Sequence, residues 1–429
     1  PAAMSQLGPM VVVTEQPATD VVKALAAAGA FPVVEARWAD APAAFDAIKP
    51  TAIVVAQPGP AADADAAHAL EEQLNNGTGP FIPLIGRARE NMPAALADGL
   101  AIDADASANR LVARLRSALR VRALHATVLR RAESLASQTG RSVDFPEGDP
   151  LEDATILVAG RGGSYLDLAT AVGERSGLIT ALSIETAANY LNARQIDGII
   201  LADGFGGPLV ESFLMALAED PRFREMPIAM LNKSVGVGPF YPVLANLERL
   251  PNEPDKVLRW MLPLARLRAF EARLARMLKT LDAEGMFDAD TGLMSDEAFI
   301  DKLLFVVEQA SHQGKPLCVA RFAFDAQLDV RTSLDAARLL GTAIRDVDFA
   351  CRDTDGAVLV LFTETELQAA HLRARRIATT LKETMQVGGR DPRHAAAAIT
   401  LATLRPNDTA ETLLRRAGSR AVAAMPVPA

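Results

Sequence analysis

The chain has 429 residues, half of them hydrophobic, which is too long for one compact core and enough for two to four ordinary domains. Its 44 Lys and Arg residues against 53 Asp and Glu give a net charge of -9, which argues against broad nucleic-acid or anionic-membrane binding. The two cysteines, Cys318 and Cys351, form no CxxC pair, and no apolar run or leader-like start suggests a membrane span or secretory signal, so the expectation is a protein of the reducing cytoplasm without disulfide or zinc.

Taken in chain order, short β-branched runs at Met10–Thr14, Phe31–Ala36, Ala52–Ala56 and Phe81–Ile85 predict strands. Ala-rich stretches around Asp20–Ala28, Ala41–Ile48 and Asn109–Leu129 predict helices between and after them. Such alternation implies a parallel sheet covered by helices on both faces. A polar Pro- and Gly-containing stretch, Gln138–Pro150, reads as a linker.

The rhythm restarts at Ala154-Thr-Ile-Leu-Val-Ala and continues through Gly198-Ile-Ile-Leu-Ala-Asp and Pro227-Ile-Ala-Met-Leu, which predicts a second α/β unit. A long helix follows over Pro254–Leu281, with Leu258, Met261, Leu262, Phe270, Leu274 and Met277 among its apolar residues at helical spacing. It reads either as a rigid connector or dimer seam, or as a helix packed on its own domain. A third unit starts near Phe287, with strands expected at Leu317–Phe324, Ala357–Phe362 and Ala397–Thr403. Its helices are expected at Ser295–Gln309, Ser333–Ile344, Leu367–Lys382 and Ala410–Ala423, an α+β pattern.

Units one and two resemble the receiver domains of two-component signalling. In that family an acidic pair holds magnesium, an Asp ending the third strand accepts phosphate, and Ser/Thr and Lys-Pro complete the site. In unit one, Ala56 falls at the acceptor position, Gly86 at the hydroxyl position and Ala104 at the lysine position, with Glu15 as a lone carboxylate. In unit two, Ala202 takes the acceptor position with Asp203 one step beyond, and Leu250-Pro251 keeps only the proline. Asp203 becomes usable only where a bulge re-aims it. The run Gly160-Arg-Gly-Gly lacks GxGxxG or GxxxxGK spacing and reads as a turn.

In unit three, Phe287-Asp-Ala-Asp-Thr-Gly-Leu-Met-Ser-Asp-Glu-Ala-Phe resembles the opening of GGDEF domains. The family's Gly-Gly-Asp/Glu-Glu-Phe signature is replaced by Thr354-Asp355-Gly356-Ala357-Val358. Its metal-binding first strand corresponds to Ala323-Phe-Asp325, with one possible acid, and the C-terminal basic pattern survives only as Ala417-Gly-Ser-Arg-Ala-Val. These losses imply no GTP condensation, because that reaction needs cations to stabilise the triphosphate.

What remains is Arg345-Asp-Val-Asp348, which corresponds to the family's inhibitory Arg-x-x-Asp site for cyclic-di-GMP, with Arg390 in the place of a third arginine. A guanidinium can grip a phosphate or the O6/N7 edge of guanine, and a carboxylate can accept from N1–H and N2–H₂. The bland alternative is a solvated ion pair worth about 0–1 kcal/mol.

The fold class expected is therefore α/β: two tandem receiver-like (flavodoxin-like) parallel-sheet domains over 1–137 and 138–282, then an α+β GGDEF (nucleotidyl-cyclase-like) domain over 283–429. The order resembles the PleD-like receiver-receiver-GGDEF family, closest to its catalytically degenerate effector branch. That resemblance implies a cyclic-di-GMP receptor with no further cofactor and a homodimer formed through the receiver domains. It also implies placement at a cell pole and recruitment of partners for regulated proteolysis of CtrA by ClpXP. A cyclase with a noncanonical site and a nucleotide-independent scaffold stay open as alternatives.

Overall fold

The computed structural model describes residues 7–57, 64–75, 79–87, 92–103, 106–139, 154–231, 235–324, 328, 330–387, 393–394 and 396–419. The chain divides into two compact units. The first comprises Pro1–Arg130, Asp149–Ala188 and Ile196–Leu274, and the second comprises Arg131–Gly148, Asn189–Gln195 and Ala275–Ala429.

The first unit opens with β1 (Gly8–Val13), α1 (Thr19–Ala27), β2 (Ala30–Ala36), α2 (Ala41–Ile48) and β3 (Ala52–Val55). It continues with α3 (Ala64–Asn75), β4 (Leu84–Arg87), β5 (Leu100–Ile102) and α4 (Ala108–Thr139), whose last turns belong to the second unit. The five strands form one parallel sheet in the order β2-β1-β3-β4-β5, the flavodoxin-like doubly wound order. Successive strand residues point to opposite faces. Met10, Val12, Ala52, Val54 and Ile85 therefore pack with Val21 and Leu25 of α1 and Leu111 and Leu115 of α4, while Val11, Val13, Ile53 and Val55 pack with Trp38, Ala67 and Leu70. Burial on both faces is why these strands are continuous apolar runs.

The expected strands and helices lie within a few residues of the observed ones, with two instructive shifts. The fourth strand starts at Leu84, after Pro83, which has no N–H to give to a ladder. Helix α4 runs ten residues past Leu129, to Thr139, so the start of the expected Gln138–Pro150 linker is helical; residues 140–150 lie outside the described residues. Helix α3 was not anticipated, because its apolar face amounts to little more than Ala67 and Leu70.

A second parallel sheet follows: β6 (Thr155–Ala159), α5 (Tyr165–Gly173), β7 (Gly177–Ala181), α6 (Ile184–Ala193), β8 (Gly198–Leu201), α7 (Gly207–Glu219), β9 (Ile228–Met230), β10 (Leu247–Arg249) and α8 (Pro254–Asp282). Its order, β7-β6-β8-β9-β10, repeats the first sheet's topology. Val257, Leu258, Met261 and Ala265 of α8 are buried in the same apolar cluster as Ile156, Val158 and Ile200. The N-terminal half of this long helix is therefore packed on its own domain.

The second unit contains α9 (Asp296–Gln313), β11 (Cys318–Phe324), α10 (Val330–Ala343), β12 (Phe349–Arg352), β13 (Val358–Phe362), α11 (Leu367–Thr384), β14 (Gln386–Val387), β15 (Arg393–His394), β16 (Ala397–Thr403) and α12 (Ala410–Ala417). The main sheet is antiparallel, in the order β12-β13-β11-β16, with β14 and β15 paired separately. Phe322, Ala350, Val358, Val360 and Phe362 face α10 and α11, whereas Val319, Cys351, Leu359 and Leu361 face α9 and α12. The expected α+β character of this region is present, and its last helix is described to Ala417. No helix among the described residues is long and apolar enough to cross a membrane.

Candidate functional site

The Arg-x-x-Asp element forms the turn between α10 and β12, closed by the Asp348 N–H donating to the Arg345 carbonyl at 2.9 Å. This turn puts the two side chains in register. Arg345 donates from Nε to Asp348 Oδ2 at 2.9 Å and from Nη2 to Oδ1 at 2.7 Å, a two-point pair. Those bonds hold the Arg345 guanidinium above its ordinary pKa. The Asp348 side chain is 1% exposed and that of Arg345 is 42% exposed. Oδ1 also accepts the Thr363 N–H at 3.1 Å. The solvated-ion-pair alternative thus describes one partner only, since the carboxylate is buried.

A second turn, between β13 and α11, completes the site. Arg345 Nη2 donates to the Thr363 carbonyl at 3.0 Å and to Thr365 Oγ1 at 3.1 Å. The same hydroxyl oxygen accepts from Arg373 Nη1 at 3.0 Å and donates to the Thr363 carbonyl at 2.7 Å. Two guanidinium groups therefore meet on one oxygen that is itself buried. Arg376, one turn along α11, joins them in lining a cavity of about 410 Å³ floored by Phe362 and Ile377. Arg373 and Arg376 were missed in the sequence reading. The signal was available: Ala370, Ala374 and Ile377 mark the buried side of α11, which sets the arginines at its edge. Arg390 lies outside the described residues.

Magnitudes decide what this site offers a ligand. Removing one partner from a buried ion pair costs about 3–5 kcal/mol. A new hydrogen bond to a charged group returns about 1.5–3 kcal/mol. In this structure Asp348 is paired with Arg345, and Arg345, Arg373 and Arg376 line the cavity. The arrangement favours an anion in the cavity.

The turn at the place of the lost signature, between β12 and β13, is built differently. Gly356 has φ +83°, a conformation that suits glycine, and the Gly356 N–H donates to the Asp353 carbonyl at 2.9 Å. Ala357 is 3% exposed and contributes only its methyl group to the interior. Arg321 of β11 reaches across to pair with Asp355, and its Nε lies 3.8 Å from Asp353 Oδ2. Asp353, with a fully buried side chain, also accepts from Ser419 Oγ at 3.0 Å. Arg321 and Asp353 were not anticipated from sequence; Asp325 lies outside the described residues. Among the described residues of this turn the carboxylates are engaged by protein, Asp355 by the Arg321 guanidinium and Asp353 by Ser419 and the Thr354 N–H.

The receiver-like positions in the first unit are likewise occupied by protein. Glu15 Oε1 accepts the Trp38 N–H at 3.1 Å. Gly86 lies in β4, and Ala104 lies outside the described residues. Ala202 is 1% exposed, while Asp203 sits past the end of β8 and accepts the Asn252 amide at 3.1 Å. The N–H groups of Arg161 and Gly162 both donate to the Asp203 carbonyl, at 3.0 and 3.1 Å. The Gly160–Gly163 run therefore folds as a turn in which the Gly160, Arg161 and Gly162 N–H groups are spent on the protein.

No family model matches the chain, and no curated protein matches it. Among solved structures, it is similar to the coiled coil and GGDEF domain of DgcB from Caulobacter crescentus in complex with c-di-GMP, at 18% identity and TM-score 0.30, over 34% of this chain and 83% of that one. It is similar to the diguanylate cyclase SiaD of Pseudomonas aeruginosa in complex with its activator SiaC, at 20% identity and TM-score 0.30, over 35% of this chain and 64% of that one. A third neighbour is the FimX GGDEF domain from Pseudomonas aeruginosa, at 18% identity and TM-score 0.28, over 32% of this chain and 92% of that one.

Proposed function

We propose that the chain is a non-catalytic receptor for cyclic-di-GMP, made of two receiver-like domains and a degenerate GGDEF domain, with boundaries near 137 and 282. The observation that carries the reading is the convergence of Arg345 and Arg373 on the Thr365 hydroxyl, beside Arg376, at the Arg-x-x-Asp turn. A doubly anionic dinucleotide supplies the negative charge that this cluster lacks. Arg390 is proposed as a further contact on the resemblance alone.

Absence of cyclase activity is part of the proposal. It is supported by Ala357 in place of an acidic residue and by Arg321 occupying the carboxylates of the same turn. The cations of GTP condensation would find their donors already paired. Binding would act as a switch, favouring the arrangement of interaction surfaces for which the ligand has higher affinity. By resemblance, the reading extends to a homodimer, to placement at a cell pole and to recruitment of partners for regulated proteolysis.

Calorimetric titration of the full chain with cyclic-di-GMP tests this. Saturable heat is expected for the unaltered protein, with loss of binding in Arg345→Ala. Arg376→Ala, which leaves the Arg345–Asp348 pair intact, is expected to weaken binding by roughly tenfold, as for a lost charge-assisted contact. Absence of heat would favour a nucleotide-independent scaffold, and product from GTP with magnesium or manganese would favour a cyclase.

A further inference from the structure

We infer that a cavity in the first unit binds a free α-amino acid with a large apolar side chain. The inference does not depend on the cyclic-di-GMP reading, because every residue it uses lies in the first unit. The cavity, about 460 Å³, opens between the C-terminal end of α3, the segments leading into β4 and β5, and the middle of α8. A space of that size holds a ligand of roughly a dozen or more non-hydrogen atoms. Leu74, Phe81, Ile82, Leu267 and Phe270 line it and are only partly buried, so apolar surface stays open to water there. An apolar side chain that fills the space removes this surface from water.

Charge sets the rest of the ligand's chemistry. Arg266 Nη1 donates to Asp98 Oδ1 at 2.9 Å, and both residues line the cavity. The Asp98 side chain is 88% exposed and that of Arg266 is 21% exposed, which places the pair at the mouth. An ion pair in water is weakly held, so each partner can turn to a ligand. Adjacent opposite charges match a head group that carries a carboxylate and an ammonium on one carbon. The guanidinium takes the carboxylate, and Asp98 takes the ammonium. Glu71 is the third charged residue among the described residues of the lining. Two carboxylates against one guanidinium leave an excess of one negative charge, which disfavours a net anion such as a phosphate.

Calorimetric titration of the full chain with L-tryptophan, tryptamine and indole-3-propionate tests the inference, since the two analogues lack only the carboxylate or only the ammonium. Saturable binding of L-tryptophan is expected, with each analogue weaker by about tenfold or more, the size of one lost charge-assisted hydrogen bond. Arg266→Gln is expected to weaken L-tryptophan and indole-3-propionate and to spare tryptamine. Asp98→Asn is expected to weaken L-tryptophan and tryptamine and to spare indole-3-propionate. Leu267→Trp, which fills the cavity, is expected to abolish binding of all three, with a thermal melt reporting that the fold is retained. Should that variant not fold, the two charge variants decide by the same criterion. The inference is overturned by absence of L-tryptophan binding, by an analogue that binds as tightly as the amino acid, or by undiminished L-tryptophan binding in Arg266→Gln and Asp98→Asn.

Discussion

Asp348 and Asp353 lie five residues apart on either side of β12, and both are buried, at 5% and 3% exposure. A buried carboxylate persists only where a cation and hydrogen-bond donors replace its water. Asp348 obtains them from Arg345 and the Thr363 N–H, and Asp353 from Arg321, the Thr354 N–H at 2.8 Å and Ser419. The two pairs differ in what they leave open. Arg345 turns a free edge to solvent, whereas Arg321 is 14% exposed and shared between two carboxylates. Arg321→Met is accordingly expected to destabilise the second unit by roughly 3 kcal/mol, because it takes the Arg321 charge away from the buried Asp353 carboxylate and from Asp355. Urea unfolding checks this through a lower midpoint at unchanged slope. The pairing of Arg345 with Asp348 was legible from their three-residue separation, but the arginine serving Asp353 was not, since it is 32 positions away in sequence and adjacent only across the sheet.

At the scale of elements, the first unit joins its two parallel sheets through a polar contact inside an apolar cluster. Arg114 of α4 is 1% exposed and lies 3.4 Å from Glu248 Oε2 of β10, which Arg110 also approaches at 3.1 Å. Burial pulls the Arg114 guanidinium below its ordinary pKa, and Glu248 opposes that pull. Arg114 Nη1 donates to the Ala101 carbonyl of β5, so α4 is tied to its own sheet as well. Glu248→Gln keeps the shape and removes the charge. It is expected to cost about 3–5 kcal/mol, whereas the double change Arg114→Met with Glu248→Leu recovers part of that loss, because it removes both fully buried charges and leaves only the less buried Arg110 without its carboxylate. Denaturant titration of Arg114→Met, Glu248→Leu and the double variant measures the coupling. The long apolar helix α8 was legible end to end from its periodicity, but that periodicity could not tell a connector from a core helix, because both present the same stripe.

At the scale of the whole molecule, His125 gives the chain a defined acid sensitivity. Its Nδ1 accepts the Phe81 N–H at 3.1 Å, and its ring packs against Phe81 and Phe270. Burial, with a smaller push from Arg122, lowers its pKa from 6.5. The folded state thus holds the neutral ring while the unfolded chain takes up a proton. As pH falls below about 6.5 the unfolded chain is favoured, until the folded-state value is also passed. The melting temperature of the first unit is expected to fall with pH through this window in the unaltered protein. In His125→Gln, whose side-chain oxygen can still accept from Phe81, that part of the slope is expected to be absent.

The sequence by itself determined the class of each region: alternation of apolar runs and Ala-rich helices is enough for parallel α/β sheets, because strands buried on both faces cannot be written in any other residues. It also identified the Arg345–Asp348 turn, since a local turn brings together residues three apart whatever surrounds it. Only the tertiary structure decided how that turn is used. Arg373 and Arg376 reach it because β13 and α11 carry them there, and Thr365 binds two arginines because its hydroxyl is buried between them. Burial and the direction of each donor are properties of packing across distant segments, and no local pattern of residues encodes them.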